Sequence, residues 1–552
     1  MGINFKTSFS IEKVKKNTFY IDKTMIIDKL IDEDGDSKTE TLLVCRPRRF
    51  GKTLALETIK YFFDPNTKDA SIEFFKDKKI AKTEKFKYLG RRPVIHMSFA
   101  NDVSGSLETF YTKIYDKIYK LLRVEKISAK DNLLIEDLDE IINNPKDIST
   151  LENSLSILIE AVYKNTGIKP ILLIDEYDSY VIDMLDNPDL DKVLNFYRAF
   201  FGKALKNNPN LHFAVLVGVT ELTKNSVFSA LNNVKISNIL DSEELGFKDL
   251  FGFTEEELDP YLEKLDLMSE KQRLKEFYDG YNIGNTELYN PASITSALEI
   301  LSVNKKGHLT NYWVSTGSNK IIEQIFKNYY VSDELILELN ELIAGNSVEV
   351  GIDKEFNIKN LKSKDAFYTF LLYAGYLTVD KIINNEIVRV RIPNSEVKSA
   401  LVSASRKLFD KPEYKELKEL KEAVVDFDLE NISTTLSSLL KKVYSYDIKT
   451  NENAYRTAIA SAITLTGVYE VKSNINAGLG RSDLVLIPRY YDKDPKIIEM
   501  KIAKNAEERD KKHKEAQEQI KDRKYQDYFD KEVSLYSLVC CNYDVSIKSL
   551  DE

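Results

Sequence analysis

The run Arg46-Pro47-Arg48-Arg49-Phe50-Gly51-Lys52-Thr53, with Leu54 after it, joins the apolar stretch TLLVC (41–45) to a helical pattern. Glycine, lysine and a hydroxyl residue in that order, between a strand and a helix, are the parts of a phosphate-binding loop. Gly51 lets the backbone approach a phosphate, and the helix start offers free N–H groups and a positive dipole end. Lys52 would reach the β- and γ-phosphates of ATP, and Thr53 would give its hydroxyl to Mg²⁺. The first glycine of the usual GxxxxGK[ST] spacing is Arg46 here. The competing reading is a plain strand-to-helix turn with a chance GKT. A second element favours nucleotide: PILLID (170–175) delivers Asp175, followed by Glu176. Asp175 would hold Mg²⁺, and Glu176 would orient or deprotonate the attacking water. Read blandly, the two acids only favour a helix start. Thr220, closing AVLVGVT (214–220), is a candidate γ-phosphate sensor. A polar strand end is more commonly just a turn.

A second group of reactive side chains lies near the C-terminus. Asp483 opens SDLVLI (482–487), and Glu499 and Lys501 lie in KIIEMKI (496–502). Alternation along a strand puts Glu499 and Lys501 on one face. If the two strands are neighbours, Asp483 and Glu499 converge beside Lys501. Two carboxylates can hold Mg²⁺, which activates water, and a lysine can position that water or neutralise charge. Glu452, on the preceding helix, would add a further carboxylate. An E-x-K strand is also common as a merely solvated face. Basic residues gather nearby: Arg481, Arg489, Lys504, Arg509, Lys511, Lys512 and Lys514. They make a track for nucleic-acid phosphates, unless the interleaved Glu507, Glu508, Asp510, Glu515 and Glu518 pair them off.

The elements that must position these residues follow from hydrophobic patterning. TLLVC, RPVIHMSF (92–99), PILLID and HFAVLVGVT (212–220) are near-continuous apolar runs, as expected for central strands covered on both faces. Helical patterns lie between them, notably LALETIKYFFD (54–64) and LDKVLNFYRAFFGKAL (190–205). Such alternation predicts an α/β domain with a parallel sheet over residues 1–250. From 251 to 410 amphipathic helices predominate. AFYTFLLYAGYLTVD followed by INNEIVRVRIPNSEV (366–397) predicts a helix, a strand, an Asn-Asn turn and a second strand, a winged-helix-like unit. Residues 411–446 form a charged helical connector. A last α/β unit, 447–552, contains ENAYRTAIASAITLT, VYEVKSNI, SDLVLIP and KIIEMKI, then a charged helix and the strand VSLYSLVCCNY.

Composition agrees. A chain of 552 residues with 43% hydrophobic residues holds several cores. The net charge of −9 excludes a basic nucleic-acid coat, though not a local basic groove. Three cysteines, Cys45, Cys540 and Cys541, and four scattered histidines give no disulfide framework and no zinc spacing. Neither a signal-peptide core nor a membrane-spanning run is seen, so a cytoplasmic location without membrane contact is expected.

The stretches FYIDKT (19–24), RPRRFGKTL (46–54), LLIDEYD (172–178) and VFSALNNV (227–234) resemble the AAA-ATPase-like family, which in bacteria precedes a PD-(D/E)XK nuclease-like domain. YNPASI (289–294), YWVSTGSN (312–319) and YAGYLTVD with IPNSEV are similar to that family's middle region. The resemblance covers nearly the whole chain. It implies an N-terminal P-loop NTPase, with the RPRRFGKT form of the loop belonging to the family itself. It also implies a C-terminal nuclease fold, with Glu452, Asp483, Glu499 and Lys501 at the family's positions. Gln519 and Tyr525 resemble the trailing Gln…Tyr motif, in which Gln519 would support the site. The turn here reads Gly478-Leu479-Gly480-Arg481, where the family more often reads GRGR. The implied activity is that of an ATP-binding and hydrolysing regulator fused to a Mg²⁺-dependent nuclease that cleaves DNA or RNA, DNA foremost, in defence or DNA processing. A homo-oligomer is compatible with it. The alternatives are a nucleotide switch, or an assembly ATPase, whose nuclease-like domain only binds nucleic acid or protein.

Overall fold

In the computed structural model the described residues are 3, 5, 18–100, 105–124, 132–222, 234–240, 246–305, 307–313, 333–353, 356, 358–361, 363–405, 415–443, 452–477, 480–488, 493–523 and 533–550. The chain divides into two compact units. One comprises residues 1–313, 350–388 and 393–396, and the other comprises 314–349, 389–392 and 397–552. Most of the middle region packs with the N-terminal sheet.

That sheet contains β1 (Thr41–Cys45), β2 (Val94–Ser98), β3 (Ile171–Asp175), β4 (Phe213–Gly218) and β5 (Val234–Ser237), in the order β2-β3-β4-β1-β5. Every neighbouring pair is parallel. Four of these strands coincide with the apolar runs of the sequence. The residues of β1, β3 and β4 are all buried, as strands covered by helices on both faces require. The order puts β4 between β1 and β3, so the carboxyl ends of these three strands share one edge. In open parallel sheets that edge is where ligands bind.

Middle-region elements complete this unit. A capping box opens the helix Glu255–Leu265, where Thr254 Oγ1 accepts from Glu257 N at 3.3 Å and Glu257 Oε2 accepts from Thr254 N at 3.0 Å. Asn290 caps the helix Pro291–Val303 by accepting from Ala292 N and Ser293 N. The expected helix-strand-turn-strand succession follows as Lys364–Ala374, Thr378–Ile382 and Ile387–Arg391, of which residues 389–391 count with the other unit.

The second unit holds a mixed sheet in sequence order: β6 (Tyr469–Ala477), β7 (Gly480–Pro488), β8 (Lys496–Ile502), β9 (Ser534–Cys541) and β10 (Asp544–Ser549). Only the β8–β9 pair is parallel. The helix Glu452–Thr466 packs on β6, and the helix Arg509–Arg523 on β8 and β9. Residues 411–446, expected as a charged helical connector, contain a pair of helices, Lys415–Asp426 and Leu429–Val443. The apolar stripe of the first, Leu417, Leu420 and Val424, is buried. Ser437 and Ser433 on the second helix accept the β10 N–H groups of Val545 and Ile547, at 2.8 and 3.2 Å. Charge on one face had disguised an amphipathic helix.

Candidate functional site

The phosphate loop leaves β1 and enters the helix Lys52–Phe63 through Gly51, whose φ of 83° only glycine adopts without strain. The Arg46 side chain does not face a phosphate. It is fully buried, with Nη1 donating to Cys45 O at 3.0 Å and Nη2 to Ser237 Oγ at 2.9 Å, and it lies over the Phe251 ring. It stands in the expected nucleotide loop at the position of its first glycine, and its environment makes it a structural anchor between β1 and β5. Lys52 Nζ donates to the loop carbonyls of Arg46 and Pro47 at 2.9 and 2.8 Å. Burial pulls its ammonium down from the ordinary lysine range, and Glu176, Asp178 and Asp175 oppose that.

Thr53 Oγ1 donates to Asp175 Oδ2 at 2.7 Å, joining the loop to the end of β3. Asp175 Oδ1 is buried and makes no hydrogen bond. Burial raises this carboxyl, and the Thr53 hydroxyl counters it. A hydroxyl beside a carboxylate with one unused oxygen is a donor set that suits Mg²⁺. Glu176 follows with φ 51° and takes a 3.2 Å hydrogen bond from Ser179 Oγ. Asp178, which sequence reasoning passed over, is buried at the adjoining strand end. Its Oδ2 accepts Val219 N, Thr220 N and Thr220 Oγ1 at 3.0, 2.6 and 2.7 Å. Thr220 is therefore fully buried with its hydroxyl committed to Asp178, so it clasps β3 to β4 rather than facing a phosphate. Gly218 makes room for this clasp, since a Cβ there would stand 2.5 Å from the Tyr177 ring.

The middle-region motifs hold the same loop from behind. Asn290 Nδ2 donates to Arg48 O at 3.2 Å, and Phe50 packs edge-on against Tyr281 at 4.8 Å. Glu396, in IPNSEV, is fully buried, and its Oε1 accepts Tyr312 N and Trp313 N at 2.7 and 3.0 Å. Burial pushes its carboxyl up to about 7, against the pull of those N–H groups and the Arg49 guanidinium. The segment 227–233 of VFSALNNV and residues 314–319 of YWVSTGSN lie outside the described residues.

In the second unit β7 and β8 are antiparallel neighbours with Leu484 opposite Ile498, so Asp483 and Glu499 stand one step further along the same register. Asp483 Oδ2 accepts Met500 N at 2.9 Å, which fixes the carboxylate against β8. Glu499 is buried, and its Oε1 meets Lys501 Nζ at 3.1 Å, on the shared face that alternation predicts. Glu452 is exposed in the first turn of its helix, and among the described residues no group of three or more His, Cys, Asp or Glu is placed to hold a metal ion. The two-carboxylate set of Asp483 and Glu499 still offers hard oxygen donors that suit Mg²⁺.

From that same helix the residue that reaches the site is Arg456, four positions later, with Nη1 2.7 Å from Asp483 Oδ1. Arg456 is not singled out by the sequence, because the contact depends on how the helix packs over the sheet. Gln519 is half-buried on the helix Arg509–Arg523, and Tyr525, Gly478, Leu479 and Arg489 lie outside the described residues. Basic residues of that helix are partly paired: Lys512 with Glu515 at 2.6 Å and Arg509 with Asp544 at 3.6 Å.

Comparison with known proteins matches two regions of the chain. Residues 7–228 match the family described as "Predicted AAA-ATPase", and residues 450–549 match the PD-(D/E)XK nuclease superfamily. A relative from Azotobacter chroococcum mcd 1, named as an uncharacterized protein in the vnfD 5′ region, is 24% identical over 397 residues. The match covers 70% of this chain and 66% of that protein, just under two thirds of its length. The chain thus pairs an N-terminal region similar to predicted AAA-ATPases with a C-terminal region similar to the PD-(D/E)XK nuclease superfamily.

Proposed function

We propose that the chain is a nucleotide-controlled nuclease. ATP with Mg²⁺ binds at Lys52, Thr53 and Asp175, with Glu176 orienting the water for hydrolysis, and nucleic acid, DNA foremost, is cut at Asp483, Glu499 and Lys501. The observation that carries the nuclease reading is the register of Asp483 beside Glu499, with the Lys501 ammonium on the same face. Asp483 and Glu499 would hold a divalent cation, which would supply activated water and stabilise developing charge. Lys501 orients that water and neutralises charge on the attacked phosphate, and Met500 N holds Asp483 in place.

Three free, buried cysteines suit the reduced cytoplasm of a bacterium. No described helix is long and apolar enough to cross a membrane. A role in defence or DNA processing fits a fusion of this kind. A second reading, a nucleotide switch whose nuclease fold only binds its partner, is favoured by the paired charges along Arg509–Arg523.

Supercoiled plasmid and single-stranded DNA and RNA, with Mg²⁺ or Mn²⁺ and with or without ATP, separate the two. The parent should cleave. Asp483→Ala should lose nearly all cleavage, and Lys501→Ala should slow it by roughly a hundredfold, the scale of losing one acid–base or electrostatic group. An inactive parent across all these conditions favours the switch.

A further inference from the structure

Each carboxylate of the nuclease-like site already has a cation of the chain beside it. Glu499 has Lys501, and Asp483 has Arg456, at 3.1 and 2.7 Å. The Arg456 and Asp483 side chains are 11% and 12% exposed, so the pair is largely out of water yet still opens to solvent. Two acids and two bases cancel in charge. A divalent ion entering that neutral group meets two fixed positive charges. It also meets an Asp483 whose Oδ1 faces a guanidinium and whose Oδ2 faces the Met500 N–H.

A guanidinium differs from an ammonium in its planar fork, which matches two oxygens of one phosphate. We propose that Arg456 is a phosphate-binding residue of this site that, before nucleic acid arrives, holds Asp483 in the place of the metal ion. When a phosphodiester enters, Arg456 turns from Asp483 Oδ1 to the phosphate oxygens. That frees the carboxylate for the ion and adds a negative charge to offset it. Metal and nucleic acid consequently bind with positive cooperativity, each raising the affinity of the other by the same factor. The inference rests on the nuclease reading for the identity of the site, and the free-state ion pair is its own observation.

The test is calorimetric titration of the full chain with Ca²⁺, a hard cation that takes the same oxygen donors. It is run with and without a short DNA duplex, with Asp483→Asn as the baseline for cation bound elsewhere. Arg456→Gln should bind Ca²⁺ about tenfold more tightly than the parent without DNA, within the usual range of coupling between sites. DNA should tighten Ca²⁺ binding by a similar factor in the parent and hardly at all in the variant. Arg456→Lys keeps the charge, so it should bind the ion like the parent while losing most of the DNA effect.

Equal or weaker Ca²⁺ binding by Arg456→Gln overturns the proposal, as does a lysine variant that behaves like glutamine. In those cases Asp483-dependent metal binding by the parent leaves the nuclease reading standing. Absence of any Asp483-dependent cation binding in the parent removes both.

Discussion

At the scale of single residues, type and spacing single out acids and lysines, and environment decides where each of them is directed. Lys52, Thr53 and Asp175 converge as their motif implies, because a strand–loop–helix unit leaves them little freedom. Arg46 reads as a charged loop residue in the sequence but is fully buried among carbonyls and Ser237. Glu396 is the opposite case: one letter of IPNSEV, it becomes a buried acid beside the phosphate loop. Its carboxyl titrates near 4.5 at its ordinary value and at about 7 in the fold. Between those values the folded chain holds a proton that the unfolded chain has released, so stability falls as pH rises through that window. Asp279, raised to about 6, acts in the same direction. His96 and His212, lowered to about 4, act oppositely, costing stability as pH drops below their ordinary range. The comparison of parent with Glu396→Gln isolates the one group. Melting temperatures between about pH 5 and pH 8 should show the parent losing more stability toward high pH than the variant. Parallel profiles would mean that Glu396 keeps an ordinary acidity in the fold.

At the scale of elements, the strands of the first sheet were legible because buried parallel strands are unbroken apolar runs. The strand β5 was not, since four residues with only one buried leave no pattern to read. The helices Lys415–Asp426 and Leu429–Val443 looked like a linker because their charges dominate, although their buried stripe is regular. Asp178 shows what no periodicity contains. It is merely the last acid of LLIDEYD in sequence, yet it receives three hydrogen bonds from the end of β4. Asp178→Ala would strand two buried N–H groups and a hydroxyl, each costing about 1–3 kcal/mol when left unmade. We expect a loss of roughly 3 kcal/mol or more in urea unfolding of the first unit, with Asp178→Asn, which keeps an acceptor, losing much less. A similar loss in both would place the role of this residue in its charge.

At the scale of the whole molecule, the chain carries two regions, similar to predicted AAA-ATPases and to PD-(D/E)XK nucleases, that the sequence displayed in order. The contact of Arg456 with Asp483 was hidden, because it depends on how the helix Glu452–Thr466 is rotated over β6 and β7. Only tertiary packing sets that rotation. The two sites are separable by ligand. Anything that binds only the folded state raises its melting temperature, by an amount set by ligand concentration over Kd. ATP with Mg²⁺ at a hundred times Kd would add about 2.7 kcal/mol to the region that holds it. Lys52→Ala removes the one ammonium of the loop, so this stabilisation should vanish while the melting temperature without ATP changes little. Asp483→Ala lies in the other unit and should keep the full ATP shift. Differential scanning fluorimetry of the three proteins with and without ATP reads this directly. An undiminished shift in Lys52→Ala would move the nucleotide site away from the phosphate loop. A shift lost in Asp483→Ala as well would mean that the nucleotide engages the nuclease-like unit, and the two chemistries would then share a ligand.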